Sequence, residues 1–415
     1  MNNIENKLFI DDIRLEGKRI VIRVDFNVPM KDGQITNNQS IVASLPTIKY
    51  ALSKGAKSVI LLSHLGRPRG NRDMKYTLEP VATELKKLLH TQVKFVEDCV
   101  GPNVKLACES TPDGSVILLE NLRFHLEEEG KGVDIQGNKV EASPDAITNF
   151  REALHTLGDI YVNDAFSAAH LSHSSMLGEG FGVRVGGLML KKELEYFALH
   201  KPAKPFLAII GGTKVTEKVK LIENLLDKVD DIIIGGGLAY TFLKQIKGIQ
   251  IGDSFFDKDG ARAIQHLVGK AVNNGVRIHL PEDFVIADEM AEEANVEETS
   301  LSKGIPNGWM ALDIGTKSIY LFKLIIDRSK TIIWNGSLGM SELETFSKGT
   351  KEIMDAVGAA TAKGVITILV GVEIASCCVK WGAEDKVNHL SPGDGANLEL
   401  LEGKVLPGIS ALSDW

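Results

Sequence analysis

The sequence predicts an α/β protein built from two parallel-sheet domains, and three observations carry that expectation. Short apolar runs alternate with helical periodicity along the 415 residues, the rhythm left by parallel sheets covered with helices. The runs are rich in β-branched residues and bounded by Gly and Pro, as strands buried on both faces are. The length is large for one core and comfortable for two.

In chain order the expected strands are Ile20–Val24, Val59–Leu62, Val93–Val96, Val116–Leu119 and Asp159–Val162, then Phe206–Ile210, Asp231–Ile234, Arg277–Leu280, Thr331–Trp334 and Val365–Val370. Helical spacing of apolar residues falls at Leu78–Leu89, Pro144–Leu157, Lys191–His200, Val215–Val229, Gly260–Asn273 and Ser347–Ala362. The glycine-rich run Gly180–Gly187 leads into a helix and divides the chain into halves of similar size, without a sequence repeat between them. Ala287–Gly308 is polar and acidic and reads as an excursion from the second sheet.

Composition excludes several classes. Apolar residues make up 44% and charged residues 25% of the chain, with a net charge of −8. That is ordinary for a soluble protein and offers no broad basic field to nucleic acid or membrane. Cys99, Cys108, Cys377 and Cys378 form no CxxC pair and no zinc-like spacing, which fits buried thiols in a reducing compartment. The first eighteen residues lack the apolar core of a signal peptide. The longest apolar stretch, Val365–Val379, is interrupted by Glu373 and too short to span a bilayer. A cytosolic protein is expected.

Three strand ends in the first third carry anion-binding chemistry. Ile20–Val24 runs into Asp25, Phe26 and Asn27; Val59–Leu62 into Ser63, His64, Gly66 and Arg67; Val116–Leu119 into Glu120, Asn121 and Arg123. Ligands of open α/β sheets sit beyond the carboxyl ends of strands, so two arginines and a histidine there imply a pocket for a small, highly charged anion. The alternative, surface arginines beside turns, is weakened because two independent loops repeat the pattern. In the second half, glycine clusters follow strands at Gly211-Gly212 and Gly235-Gly236-Gly237. Backbone amides at such turns bind phosphate, and Lys214 with Lys218 one turn later adds positive charge on one face. Tight helix–strand packing is the alternative reading of these glycines. Neither GxxxxGK[ST] nor GxGxxG occurs.

RVDFNVP, SHLGRP, GSVILLENLRF, YVNDAF, PFLAIIGGTKV, IIIGGGLAYTFL, GIPNGWMALD, IIWNG and LELLEGKVLPG follow one another along the chain. Together they resemble the phosphoglycerate kinase family over essentially the whole length. The resemblance implies two Rossmann-like domains joined by a helix and hinge: residues 1–186 for 3-phosphoglycerate, 187–405 for nucleotide, and 406–415 returning to the first domain. The implied reaction is reversible phosphoryl transfer between 1,3-bisphosphoglycerate with ADP and 3-phosphoglycerate with ATP, in glycolysis and gluconeogenesis. Mg²⁺ is the implied cofactor, the cytoplasm the implied location and a monomer the implied state, with no nucleic acid or membrane partner. By the same resemblance Asp25, Asn27, His64, Arg67, Arg123 and His170 hold the acid. Gly212, Lys214, Lys218, Gly236, Gly237, Leu312, Asn335, Glu342, Gly371 and Glu373 surround the nucleotide, with Glu373 as metal ligand. Lys214, Arg67 and Arg123 are the implied catalytic residues. The acceptor is an ionised carboxylate, so catalysis reduces to positioning and charge neutralisation.

The chain departs from the family pattern around this site. Ser40 and Leu171 stand where the pattern has arginines, and Ser167-Ala168 where it has Gly-Thr. Glu373 and Ile374 replace an aspartate and a threonine of the nucleotide loop, Asp394 interrupts a Thr-Gly-Gly-Gly, and Ser337 replaces a proline. Two functional expectations follow: a working phosphoglycerate kinase, or a kinase-like binding or regulatory protein with little turnover. An altered acid acceptor is a weaker third, and Arg69 or Arg72 swinging into the site is the compensating arrangement. His170 and His173 lack a spaced partner for a metal site. Trp309 and Trp334 read as second-core residues, and Cys377-Cys378 as buried.

Overall fold

The structure, a computed structural model, describes residues 6–134, 136–197, 202–391 and 395–415. The chain divides into two compact units, Met1–Ala198 with Val405–Trp415, and Leu199–Lys404. Each is built on a six-stranded sheet, and every strand pair in both is parallel. The fold class expected from the sequence is the one observed.

In the first unit the strands lie in the order Arg184–Gly186, Ile160–Asp164, Arg19–Val24, Ser58–Leu62, Ser115–Leu119, Val93–Val96. Arg19–Val24 is central, with Ile20 paired to Val59 on one side and Ile160 on the other. Its side chains alternate between faces as strand geometry requires. Ile20, Ile22 and Val24 enter one core with Val59 and Leu61. Val21 enters the opposite core with Ile60 and Leu62.

Two elements here differ from expectation. The Gln39–Ser53 helix carries Pro46 in its interior, which breaks the periodic signal and costs about 3 kcal/mol. Burial of Ile41, Leu45, Ile48 and Ala51 along one face overrides that cost. The run Gly180–Gly187 holds the edge strand Arg184–Gly186, and the first unit continues through the Leu188–Phe197 helix. Close packing explains a glycine there, since a Cβ on Gly187 would stand 2.1 Å from Asp164 Oδ1. The end placed at His200 lies outside the described residues.

The second sheet runs Arg277–His279, Asp231–Ile234, Phe206–Ile210, Thr331–Asn335, Ile366–Val370, His389–Ser391. Numbered along the chain this is 3-2-1-4-5-6, the order of dinucleotide-binding sheets, although the glycine motif of those proteins is absent. The order reverses between Phe206–Ile210 and Thr331–Asn335, where such sheets open a crevice. The apolar stretch Val365–Val379 is a strand and a helix, Ile366–Val370 and Val372–Lys380, divided at Gly371 with φ +106°. The polar excursion forms part of a small antiparallel sheet of Val296–Ser300, Asp283–Ala287 and Met310–Ile314. Trp334 is fully buried in the second core. No helix among the described residues is long and apolar enough to cross a membrane.

Candidate active site

The three loops singled out in the first unit are tied to one another. Ser63 Oγ donates to Val24 O at 2.8 Å and accepts from Phe26 N at 2.9 Å, joining the first loop to the second. Asn27 Oδ1 accepts from Gly66 N at 2.8 Å. Arg123 Nη1 donates to Gly66 O at 2.9 Å, joining the third loop to the second. Asn121 closes the circuit by donating to Leu65 O at 2.8 Å and Tyr76 O at 2.9 Å. Asp25, Asn27, His64, Arg67 and Arg123 therefore sit on one braced set of loops. Arg67 is exposed, whereas Arg123 is 8% exposed and pairs with Glu129 at 3.4 Å.

Behind this wall lies a charged layer that the sequence reading missed. Arg23 is fully buried in the central strand, bonding the carbonyl of Val24, Ser175 Oγ at 2.9 Å and His64 Nδ1 at 3.0 Å. Ser175 in turn donates its hydroxyl to Glu128 at 2.6 Å, and Glu128 is itself buried. A buried charge persists only when paired and hydrogen-bonded. The available signal was one arginine inside an otherwise apolar strand, beside a strand end rich in polar residues.

Burial, reinforced by Arg23 and Arg123, holds the His64 pKa well below the usual imidazole range. Burial and the same two arginines push His173 down to about 3. Between about pH 3 and 6.5 the unfolded chain therefore binds a proton at residue 173 that the folded chain refuses, so stability from this group falls with pH. Asp164 and Asp313, each raised to about 7 by burial, act with the opposite sign over most of that window. The variant His173→Asn isolates one contribution. Urea unfolding at pH 7.5 and 5.0 should show the variant gaining ~1–2 kcal/mol relative to the parent on acidification. An unchanged difference would refute the neutral, half-buried imidazole.

The departures in this unit have definite places. Ser40 lies half-buried in the first turn of the Gln39–Ser53 helix. The Ser167 hydroxyl donates to Asp25 Oδ2. Leu171 is half-buried beside His170, which is also half-buried. Arg72, one candidate substitute cation, is turned to Glu97 O at 2.7 Å and stacks on Phe124.

In the second unit the site forms at the reversal of strand order. Gly211 N donates to Asn335 O at 2.8 Å and Gly212 N to Ser337 O at 3.0 Å, so the two strand-end turns are laced together. A Cβ on Gly211 would stand 1.9 Å from Ser337 O, which requires glycine. Lys218 Nζ donates to Asn335 Oδ1 at 2.5 Å, while Asn335 Nδ2 donates to Val370 O at 2.7 Å. Beyond Val370 the Gly371 turn opens the Val372–Lys380 helix, with Glu373 in its first turn. Glu373 Oε1 accepts from Ser337 Oγ at 2.6 Å.

Two cavities meet here. One of about 570 Å³ is lined by Lys218, Asn335, Glu342, Gly371 and Glu373, a volume typical of small-ligand pockets. A smaller one of about 150 Å³ is lined by Gly212, Gly236, Gly237, Leu312, Glu342 and Glu373. The nucleotide residues expected from the sequence thus gather around these cavities, apart from Lys214. That lysine precedes the Val215–Leu225 helix, is exposed, and pairs with Glu217 at 3.5 Å rather than sharing a lining with Lys218. Ile374 points into the core with no exposure. Pro392, Gly393 and Asp394 lie outside the described residues.

The four cysteines are buried, and burial raises each thiol, Cys108 and Cys378 to about 11. Among the described residues one group has metal-ligand types in reach, Asp98, Cys99 and His125. Its carboxylate and imidazole already pair at 2.6 Å.

A parallel α/β sheet with glycine-rich turns at its order reversal, a lysine–asparagine pair and a carboxylate defines a phosphate-handling protein. The unit beside it in sequence carries arginines on braced strand-end loops. Residues 10–404 match the family model described as phosphoglycerate kinase. The chain is 58% identical to the probable phosphoglycerate kinase of Caenorhabditis elegans, covering 98% of both chains. It is 56% identical to human phosphoglycerate kinase 1, covering 99% of this chain and all of the relative. Among solved structures it is similar to phosphoglycerate kinase from Coxiella burnetii, with TM-score 0.86, 36% identity and 98% coverage of each chain. The chain belongs to the phosphoglycerate kinase family.

Proposed function

We propose that the protein catalyses reversible phosphoryl transfer from 1,3-bisphosphoglycerate to ADP, yielding 3-phosphoglycerate and ATP. The observation that carries this reading is the match to curated phosphoglycerate kinases at 55–58% identity over nearly the full length. No relative among those matches favours a non-catalytic binding role. The three braced loops support the acid site: His64, Arg67 and Arg123, with His170 from a separate loop, meet its phosphate and carboxylate charges, while Asp25 and Asn27 orient its hydroxyl. The laced glycine turns support the nucleotide site. Lys218, held by Asn335, neutralises nucleotide phosphates, Leu312 and Glu342 flank the adenosine, and Lys214 stabilises charge on the transferring group.

The residues present fit Mg²⁺. This ion takes one or two protein carboxylates together with substrate phosphates and water, and Glu373 offers one carboxylate at the edge of the phosphate turn. Bound there with nucleotide, Mg²⁺ would supply charge neutralisation on the phosphates. The chain is read as a cytoplasmic monomer. Purified protein given ATP and 3-phosphoglycerate should produce ADP only when both substrates are present, as followed by a coupled spectrophotometric assay. Failure to exceed the rate without 3-phosphoglycerate would overturn the assignment.

A further inference from the structure

Two of the departures from the family pattern touch each other. Ser337 is 4% exposed and follows the strand end at Asn335, where its carbonyl already accepts from Gly212 N. Its hydroxyl donates to Glu373 Oε1 at 2.6 Å. The other carboxylate oxygen, Oε2, lies 3.9 Å from the position of a Cβ on Gly212, so it faces the phosphate turn. Glu373 also borders both cavities. A glutamate has one more torsion than an aspartate, and an exposed one samples many rotamers. A proline at 337, as the pattern has, offers no donor to restrain it.

We propose that Ser337 is a positioning residue, which clamps one oxygen of Glu373 so that the other is presented to the nucleotide-bound divalent cation. The proposal rests on the reading of Glu373 as the metal carboxylate. The serine and the glutamate then form one coupled exchange: the longer acid brings an unwanted freedom, and the hydroxyl removes it. Hydrogen bonds that orient metal-binding carboxylates are worth about 10–100-fold in metal affinity.

Calorimetric titration of ADP, with excess Mg²⁺ and with chelator, tests this without turnover. The parent should bind ADP more tightly with Mg²⁺, and the ratio of the two affinities is the readout. In Ser337→Ala that ratio should fall about tenfold while affinity for metal-free ADP stays unchanged; Ser337→Thr, which keeps the hydroxyl, should retain it. Glu373→Gln should abolish the ratio. If Glu373→Gln behaves as the parent, the metal reading fails and the positioning role with it. If Glu373→Gln loses the ratio but Ser337→Ala keeps it, the positioning role alone is overturned. Should Ser337→Ala prove unstable, the Glu373→Asp background decides. The shorter acid cannot use the clamp, so Ser337→Thr and Ser337→Cys should have equal ratios there and unequal ratios with Glu373. Equal ratios in both backgrounds refute the clamp.

Discussion

The double variant Ser40→Arg, Leu171→Arg is expected to turn over at least about tenfold faster than the parent. An arginine that stabilises charge in phosphoryl transfer can contribute ~10³–10⁵ in rate, and Ser40 and Leu171 can supply no charge. Residue 40 lies in the first turn of the Gln39–Ser53 helix and residue 171 follows His170, and both are half-buried. Arg72 is engaged by the Glu97 carbonyl, so it does not stand in for them. Steady-state rates with ATP and 3-phosphoglycerate measure the effect. The Leu171→Arg change, whose new guanidinium meets the acid in ground and transition state alike, should act mainly on KM; the Ser40→Arg change should act on kcat. A parent within tenfold of the double variant would show that neighbouring groups already supply the missing charge.

Lys214→Met should lower kcat by ~10²–10³ with little change in stability. Among the described residues its ammonium pairs with exposed Glu217 at 3.5 Å, and exposed pairs of this kind contribute about 0–1 kcal/mol. Loss of one preorganised positive group at a transferring phosphoryl is by contrast worth ~3–4 kcal/mol. The urea midpoint should therefore stay near that of the parent while the rate collapses. A rate within threefold of the parent would remove Lys214 from the chemistry and leave the role to Lys218, which lines the larger cavity.

The strands were legible because burial on two faces leaves a dense apolar signature. Phe206–Ile210 and Val93–Val96 begin and end where the sequence placed them. The Gln39–Ser53 and Gly236–Lys247 helices were not, because Pro46 and the opening Gly236-Gly237 weaken local helical signal and only packing on the sheet repays it. Candidate site residues on loops were legible through residue type and position at strand ends. Arg23 escaped because a residue inside an apolar strand reads as core, and its partner Ser175, with Glu128 bonded to that serine, is more than a hundred residues away. The Ser337–Glu373 contact was invisible for the same reason: each departure stood alone in sequence, and only the fold brings them within 2.6 Å.

The segment Val405–Trp415 belongs to the first unit, although the whole second unit precedes it in the chain. Gly408 donates to Ala169 O at 2.9 Å and accepts from Asn163 Nδ2 at 3.2 Å, so it props the loop just before His170 and Leu171. Ser413 further donates to Arg184 O at 2.8 Å on the edge strand. Ribosomal synthesis adds about 5–20 residues per second, so the more than two hundred residues between His170 and Gly408 take about ten seconds or more to make. During that interval the nascent first unit lacks its closing piece while the second unit is being completed. The loop that leads into His170 and Leu171 is thus finished by the segment that leaves the ribosome after both sheets, and a chain cut short before it would leave that loop without its brace.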